Sequence, residues 1–144
     1  MRGKMRLSKT CLGENEIRAV NQVLGTEFLG MGPKVQEFEQ KIEGYLGEGV
    51  HIACVSSGTA ALQLAIQALG IKRDDEVLIP SLTFAGSFQA ALANNAKTIP
   101  CDVDLETGLL SIPEIERKLT SKTKAIMYVH YASEFGNRKD LFNI

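Results

Sequence analysis

The chain has 144 residues, about one ordinary domain, and its 16 basic and 17 acidic residues leave a formal net charge of −1, too little to attract nucleic acid. Its three cysteines fit neither a disulfide framework nor a zinc site, because they are odd in number and far apart. With no signal-peptide pattern and no apolar run near the roughly 18 residues of a membrane span, we expect a soluble cytoplasmic protein without a metal site or a membrane partner.

The first 50 residues are predicted to hold two amphipathic helices. Residues 1–12 are interpreted as an N-terminal extension, and residues 13–50 as two helices with a glycine-rich link. In the first helix, expected to end at Gly25, apolar residues recur at helical spacing at Ile17, Val20, Val23 and Leu24. The second is expected to begin at Pro33 and has an apolar stripe at Val35, Phe38, Ile42, Tyr45 and Leu46. Both should be half-buried.

Residues 51–144 show the alternation of strands and helices that is typical of an α/β fold. Short apolar runs at residues 51–55, 76–80, 97–103 and 124–131 alternate with helical segments at 59–69, 87–95 and 113–119. This order predicts a mainly parallel sheet with helices on both faces. The helix at 59–69 is apolar nearly all round and is expected to be buried nearly all round. Ser111 and Glu114 have the spacing of a capping box for the helix that follows.

The stretch "VSSGTAAL", residues 55–62, places small and hydroxyl-bearing residues at the start of a helix. The first N–H groups of a helix lack internal acceptors and carry partial positive charge, so they can bind a phosphate. Ser57 or Thr59 could equally act only as a helix cap, with Gly58 forming the turn. Standard nucleotide loops are absent, since "GMGPKV" at residues 30–35 lacks the third glycine and the preceding strand of a dinucleotide fingerprint.

Several blocks in order carry a more specific signal: "GMGPKVQEFEQKIEGYLG", "CVSSGTAALQLAIQALGI", "DDEVLIPSLTFAGSFQAAL" and "IPCDVDLETGLLSIPEIERKLTSKTKAIMYVHY". From Met5 to Ile144 the chain closely resembles the N-terminal part of the DegT/DnrJ/EryC1/StrS family of pyridoxal-phosphate-dependent sugar aminotransferases. The resemblance implies that residues 51–144 are part of a fold-type-I aminotransferase large domain. It also implies that Gly58, Thr59 and Ala60 bind the phosphate of pyridoxal 5'-phosphate, and that Phe84 stacks on its pyridine ring.

The resemblance further implies which partners the complete enzyme has. These are a nucleotide-sugar substrate, an amino-acid donor, usually glutamate, and a second copy of the chain in a homodimer or other self-association. The link at Phe28 to Gly32 could then approach a substrate at a neighbouring active site. Asp102 and Asp104 are expected to be structural in such a protein, and His130 to be a hydrogen-bonded structural histidine.

Two groups that transamination needs have no counterpart in the blocks that match. In the resembling family the Schiff-base lysine and the acidic partner of the pyridinium nitrogen come later, the acid in an "EDxAQ"-type block. Neither block occurs before Ile144. We therefore expect an N-terminal fragment that is inactive by itself, and we assign it no catalytic residue. The alternatives are a non-catalytic α/β interaction or dimerisation protein and, disfavoured by the missing fingerprint, a nucleotide-dependent oxidoreductase.

Overall fold

The computed structural model describes residues 9–136, and the chain forms two compact units that divide after Cys54. The first unit contains helices α1 (Glu14–Leu24) and α2 (Pro33–Leu46). Both helix predictions are confirmed: Gly25 caps the end of α1, and Pro33 occupies the first turn of α2. The expected half-burial is seen only in part: Val23, Val35 and Ile42 are partly buried, and the other residues of the two stripes are exposed.

Residues 51–55, predicted to be the first strand, form no strand. The reason is local to the first unit, because carboxylates of α2 accept hydrogen bonds from this segment. The Ile52 N–H donates to Glu43 Oε1 at 2.8 Å, and the Cys54 N–H donates to Glu39 Oε1 at 2.7 Å. Two backbone donors that would join a strand ladder are thus used by side chains.

The second unit is built on a parallel sheet of three strands, β1 (Glu76–Pro80), β2 (Lys97–Cys101) and β3 (Thr123–Ile126). The spatial order is β2-β1-β3, and both pairings are parallel, which confirms the predicted sheet type. Strand β3 is shorter than predicted. After Met127, whose N–H donates to the Leu78 carbonyl at 2.8 Å, the chain leaves the ladder and enters a 3-10 turn at Tyr131–Ser133.

Helices cover both faces of this sheet, as the alternating pattern predicts. They are α3 (Gly58–Ala68), α4 (Gly86–Ala93) and α5 (Ile112–Lys118). Val77 and Ile79 of β1 join a core cluster with residues of α3 and α4, whereas Leu78 joins a second cluster with Ile115 of α5. Successive strand residues point to opposite faces, so one fully buried strand serves both clusters. No helix within residues 9–136 has the length and apolarity to cross a membrane.

Two finer predictions about these helices are wrong. Helix α3 is not buried all round: Ile66 is its buried residue, and Leu64 is half exposed, because among the described residues α3 packs mainly on α4. The capping box of α5 is also absent. Ser111 is the N-cap residue but makes no side-chain cap, and Glu114 pairs with Arg117 and Lys118 instead.

A buried carboxylate joins all three strands at their amino ends. Glu76 of β1 is 5% exposed. Its Oε1 accepts a hydrogen bond from Lys97 Nζ of β2 at 3.0 Å, and its Oε2 accepts one from Thr120 Oγ1, just before β3, at 2.6 Å. The bonds from Thr120 and Lys97 hold the pKa of Glu76 below its ordinary value of 4.5. The ionised carboxylate therefore stabilises the junction of the strands.

Glu76→Gln should destabilise the chain at neutral pH, because the neutral amide loses the ionic bond to Lys97. The pKa of Glu76 is lowered in the folded state, so its contribution is complete above pH 4.5 and disappears as the pH falls through the folded-state pKa. The difference in urea midpoint between wild type and variant should shrink over that range. Glu116→Gln, an exposed carboxylate on α5, is the matched control. A Glu76→Gln difference that stayed constant down to pH 3 would contradict this role.

Candidate functional site

An open cleft of about 710 Å³ lies at the N-terminus of α3, beside the turn that follows β1. The carboxyl ends of parallel strands are where open α/β sheets bind ligands. Three of the four predicted site residues line this cleft, namely Gly58, Thr59 and Phe84. The fourth, Ala60, is next to them in α3 but does not line it. The fold thus brings together residues that are more than twenty positions apart in the sequence.

The start of α3 is both capped and open to a ligand. Ser57 is the N-cap residue, and its Oγ accepts a hydrogen bond from the Ala60 N–H at 3.2 Å. Its carbonyl accepts the Ala61 N–H at 3.0 Å. Gly58 and Thr59 are the first two residues of the helix, and N–H groups at these positions have no acceptor inside a helix. The cap and the anion site are therefore compatible, with the Ala60 N–H used by the cap.

Gly58 is a glycine that this chain's own fold does not require. It lies in helix α3, a conformation that any residue can adopt, and a Cβ built on it meets no atom within 4 Å. Gly58 lines the cleft, and a Cβ at this position would meet open space among the described residues. A small anionic group fits here, because the missing side chain lets it reach the backbone.

Phe84 is not a core residue in the described part of the chain. Its side chain is 78% exposed at the edge of the cleft. Large aromatic residues usually contribute their area to a core, so this exposure leaves the flat face of the ring available. An aromatic face beside a helix N-terminus suits a ligand with a planar ring and a phosphate.

Sequence reasoning missed the polar and small residues that α4 contributes to this site. Gly86 and Ser87, in the first turn of α4, also line the cleft, and Ser87 is buried. The Oγ of Ser87 lies 2.8 Å from Oγ1 of Thr83, the residue before Phe84. The available signal was the run of small and hydroxyl residues around Phe84, "TFAGS", which matches the composition of the "SSGT" turn.

The cleft differs in charge from the amino ends of the strands. The described residues that line the cleft are all uncharged. Lys97 lies at the other, amino end of the strands and is bonded to Glu76. An anion in the cleft would accordingly be held by backbone N–H groups, hydroxyl groups and the helix dipole, rather than by a basic side chain.

Other polar residues near the carboxyl ends have structural partners. Asp104 Oδ1 accepts bonds from the N–H groups of Glu106 and Thr107 and from the Thr107 hydroxyl, and these bonds lower the pKa of Asp104. This carboxylate closes a turn, as expected. His130 Nδ1 lies 3.3 Å from the Glu134 carbonyl, also as expected. The turn after His130 is strained, because Ala132 and Ser133 both have positive φ, at 51° and 66°.

The fold matches that of fold-type-I aminotransferases. Spr1654 from Streptococcus pneumoniae, assigned as a sugar aminotransferase and solved in its PMP-form, superposes with a TM-score of 0.88 at 28% identity, covering 97% of this chain and 35% of that one. The aminotransferase TlmJ from Streptoalloteichus hindustanus superposes with a TM-score of 0.76 at 36% identity, covering 91% of this chain and 35% of that one. This confirms the predicted fold class.

The sequence comparison identifies the family. The model of the DegT/DnrJ/EryC1/StrS aminotransferase family matches residues 10–143, and the chain belongs to that family. The dTDP-4-dehydro-2,3,6-trideoxy-D-glucose 4-aminotransferase of Saccharopolyspora spinosa is 32% identical over 133 residues, which are 92% of this chain and 34% of that protein. The chain spans about a third of the length of the relatives that it matches.

Proposed function

We propose that this chain is the N-terminal fragment of a pyridoxal-phosphate-dependent nucleotide-sugar aminotransferase. The whole protein would transfer an amino group, from glutamate, to a keto carbon of a nucleotide-linked sugar. One observation carries the proposal: Gly58, Thr59 and Phe84 line a single cleft at the start of α3. Family membership and the dTDP-sugar substrate in the name of the Saccharopolyspora spinosa relative support it.

The residues of the cleft fit the two ends of the cofactor. The N–H groups of Gly58 and Thr59, with the Thr59 hydroxyl, would bind the phosphate. The exposed ring of Phe84 would stack on the pyridine ring. Pyridoxal phosphate, when bound, supplies an electron sink for the transfer of the amino group. The part of the chain in the cleft orients the cofactor and shields one ring face from water.

We further propose that this chain alone does not catalyse transamination. Among residues 9–136, those that line the cleft include no lysine or carboxylate, and transamination needs a lysine for the cofactor aldehyde and an acid for the pyridinium nitrogen. Lys97 is an unsuitable substitute, since it lies at the amino ends of the strands and is bonded to Glu76. The nearby Lys122 precedes β3 at the same end.

A homodimer is the third part of the proposal. In the first unit, apolar side chains of α1 and α2 are more than half exposed, including Ile17 (60%), Val20 (58%) and Phe38 (55%). Apolar stripes of this kind usually face another protein surface. We propose that a second copy of the chain covers them. No specific observation favours a non-catalytic interaction protein over the enzyme fragment.

Gly58→Ala tests the phosphate site. The methyl group would meet no protein atom, so stability should stay the same or rise by up to about 1 kcal/mol, the helix propensity difference. At the proposed phosphate position the methyl group would crowd the ligand, and pyridoxal phosphate affinity measured by calorimetry should fall about tenfold, the worth of one bond to a charged group. Gly44→Ala in α2, where a Cβ also meets nothing, is the control. Equal affinities for Gly58→Ala and wild type would refute the assignment.

Borohydride reduction tests the proposed inactivity. After incubation with pyridoxal phosphate, the purified chain should give no stoichiometric adduct on a single lysine when the peptides are mapped by mass spectrometry. Lysines on the surface react weakly and at many positions, so a low, scattered background is expected. One lysine modified in full, at a cofactor concentration that leaves other lysines unmodified, would mean that the chain has its own reactive lysine.

Sedimentation over a range of concentrations tests self-association. The wild-type chain should sediment as a dimer whose fraction rises with concentration. Val20→Glu should shift the equilibrium toward monomer, because the charge enters an apolar surface. Asn15→Glu adds the same charge on the opposite side of α1 and should leave association unchanged. A monomer at all concentrations in the wild type would remove the support for the proposed dimer.

A further inference from the structure

The aromatic turn, defined as residues 81–87, carries Phe84 on a side chain that has little packing of its own. Phe84 is 78% exposed, so surrounding side chains cover only a small part of the ring. A free phenyl side chain in an open cleft samples several χ1 rotamers. A stacking platform must instead keep one orientation, because each rotamer ordered on binding reduces the affinity. The support for Phe84 must then come from the turn itself.

Hydrogen bonds fix the turn on both sides of Phe84. The Ser81 N–H donates to the Cys101 carbonyl of β2 at 2.7 Å, which ties the beginning of the turn to the sheet. The Ser87 N–H donates to the Phe84 carbonyl at 3.0 Å. The hydroxyl groups of Thr83 and Ser87 lie 2.8 Å apart and close a side-chain bridge across Phe84. Ser87 is 5% exposed, so water competes poorly for this bridge.

Gly86 sets the position of the ring from the other side. A Cβ built on Gly86 would clash with Thr59 Oγ1, and it would come within 3.0 Å and 3.2 Å of two carbons of the Phe84 ring. The ring edge therefore lies directly against the Gly86 backbone, next to the Thr59 hydroxyl. The empty position at Gly86 allows the start of α4, the start of α3 and the ring to meet.

We infer that Thr83, Ser87 and Gly86 are positioning residues that hold the Phe84 ring in one rotamer beside Thr59 before any ligand binds. This inference rests on the proposed function, because a fixed Phe84 rotamer matters only if the ring stacks on the pyridine ring of the cofactor. The role assigned to Thr83 and Ser87, whose hydroxyl groups are paired across Phe84, is to act through that residue. Gly86 acts on both ends, since it touches Phe84 and Thr59.

The first measurement needs no cofactor. In the full chain labelled at phenylalanine, three-bond couplings from the Phe84 Cγ to the backbone N and C′ report its χ1 populations, and Phe84→Leu assigns the signals. The wild type should show one dominant rotamer. Thr83→Val and Ser87→Ala, which remove the bridge, should average the couplings, whereas Thr83→Ser keeps a hydroxyl and should retain the single rotamer. Thr98→Val on β2 is the matched control for loss of a threonine hydroxyl.

The second measurement separates this inference from the function on which it rests. Thr83→Val should lower the affinity for pyridoxal phosphate roughly two- to tenfold, the effect of ordering one side chain, and leave the affinity for inorganic phosphate unchanged. If the wild type binds no pyridoxal phosphate, the proposed function fails while the rotamer result still decides the positioning role.

Rotamer averaging in the wild type, or a single rotamer retained in Thr83→Val, overturns the inference. Ser87 is buried, so Ser87→Ala could unfold the chain. In that event the wild type, Thr83→Val and Thr83→Ser decide the outcome, because Thr83 is only half-buried. An equal loss of affinity for pyridoxal phosphate and inorganic phosphate in Thr83→Val would also contradict it, since the bridge would then act on the phosphate end.

Discussion

The second unit depends on the complete burial of β1 between two parallel neighbours. All five residues of this strand are buried, and its side chains supply both core clusters. At the amino end of β1, Glu76 is bonded to the segments that begin β2 and β3. At the carboxyl end, the chain turns directly into the segment that presents Phe84. Burial of one short strand thus places a structural ion pair at the amino ends of the strands and the candidate site at their carboxyl ends.

The fold supports an architecture, and the cleft supports a cofactor. A doubly covered parallel sheet is shared by proteins with many activities, so the superpositions alone define an architecture. The argument for a cofactor comes from particular atoms: two backbone N–H groups at the start of α3, a glycine that lines the cleft without a side chain, and an exposed aromatic ring in the same cleft. All of them are neutral, so recognition there relies on geometry and on the helix dipole.

The sequence predicted those features that depend on local periodicity. The bounds of α1 and α2, the three strands of the sheet and the parallel pairing followed from apolar spacing, capping residues and the order of elements. The strand at 51–55 was wrong because periodicity cannot reveal that Glu39 and Glu43 take its N–H groups. The contact of Gly86 with Thr59 was equally invisible, since it exists only once α3 and α4 have packed together. Gly58, Thr59, Ala60 and Phe84 were predicted through family resemblance, and composition alone left their role open.

The cap at Ser57 bears on whether α3 needs a ligand in order to form. A helix whose first turn must wait for a phosphate would couple its folding to the supply of ligand. Here the Ser57 hydroxyl already satisfies the Ala60 N–H, so the cap of α3 is complete without a ligand. The N–H groups of Gly58 and Thr59, ahead of it, would remain for the proposed phosphate. Formation of the helix cap and binding of the proposed phosphate therefore use different N–H groups. A substitution that removes one of these interactions can leave the other intact.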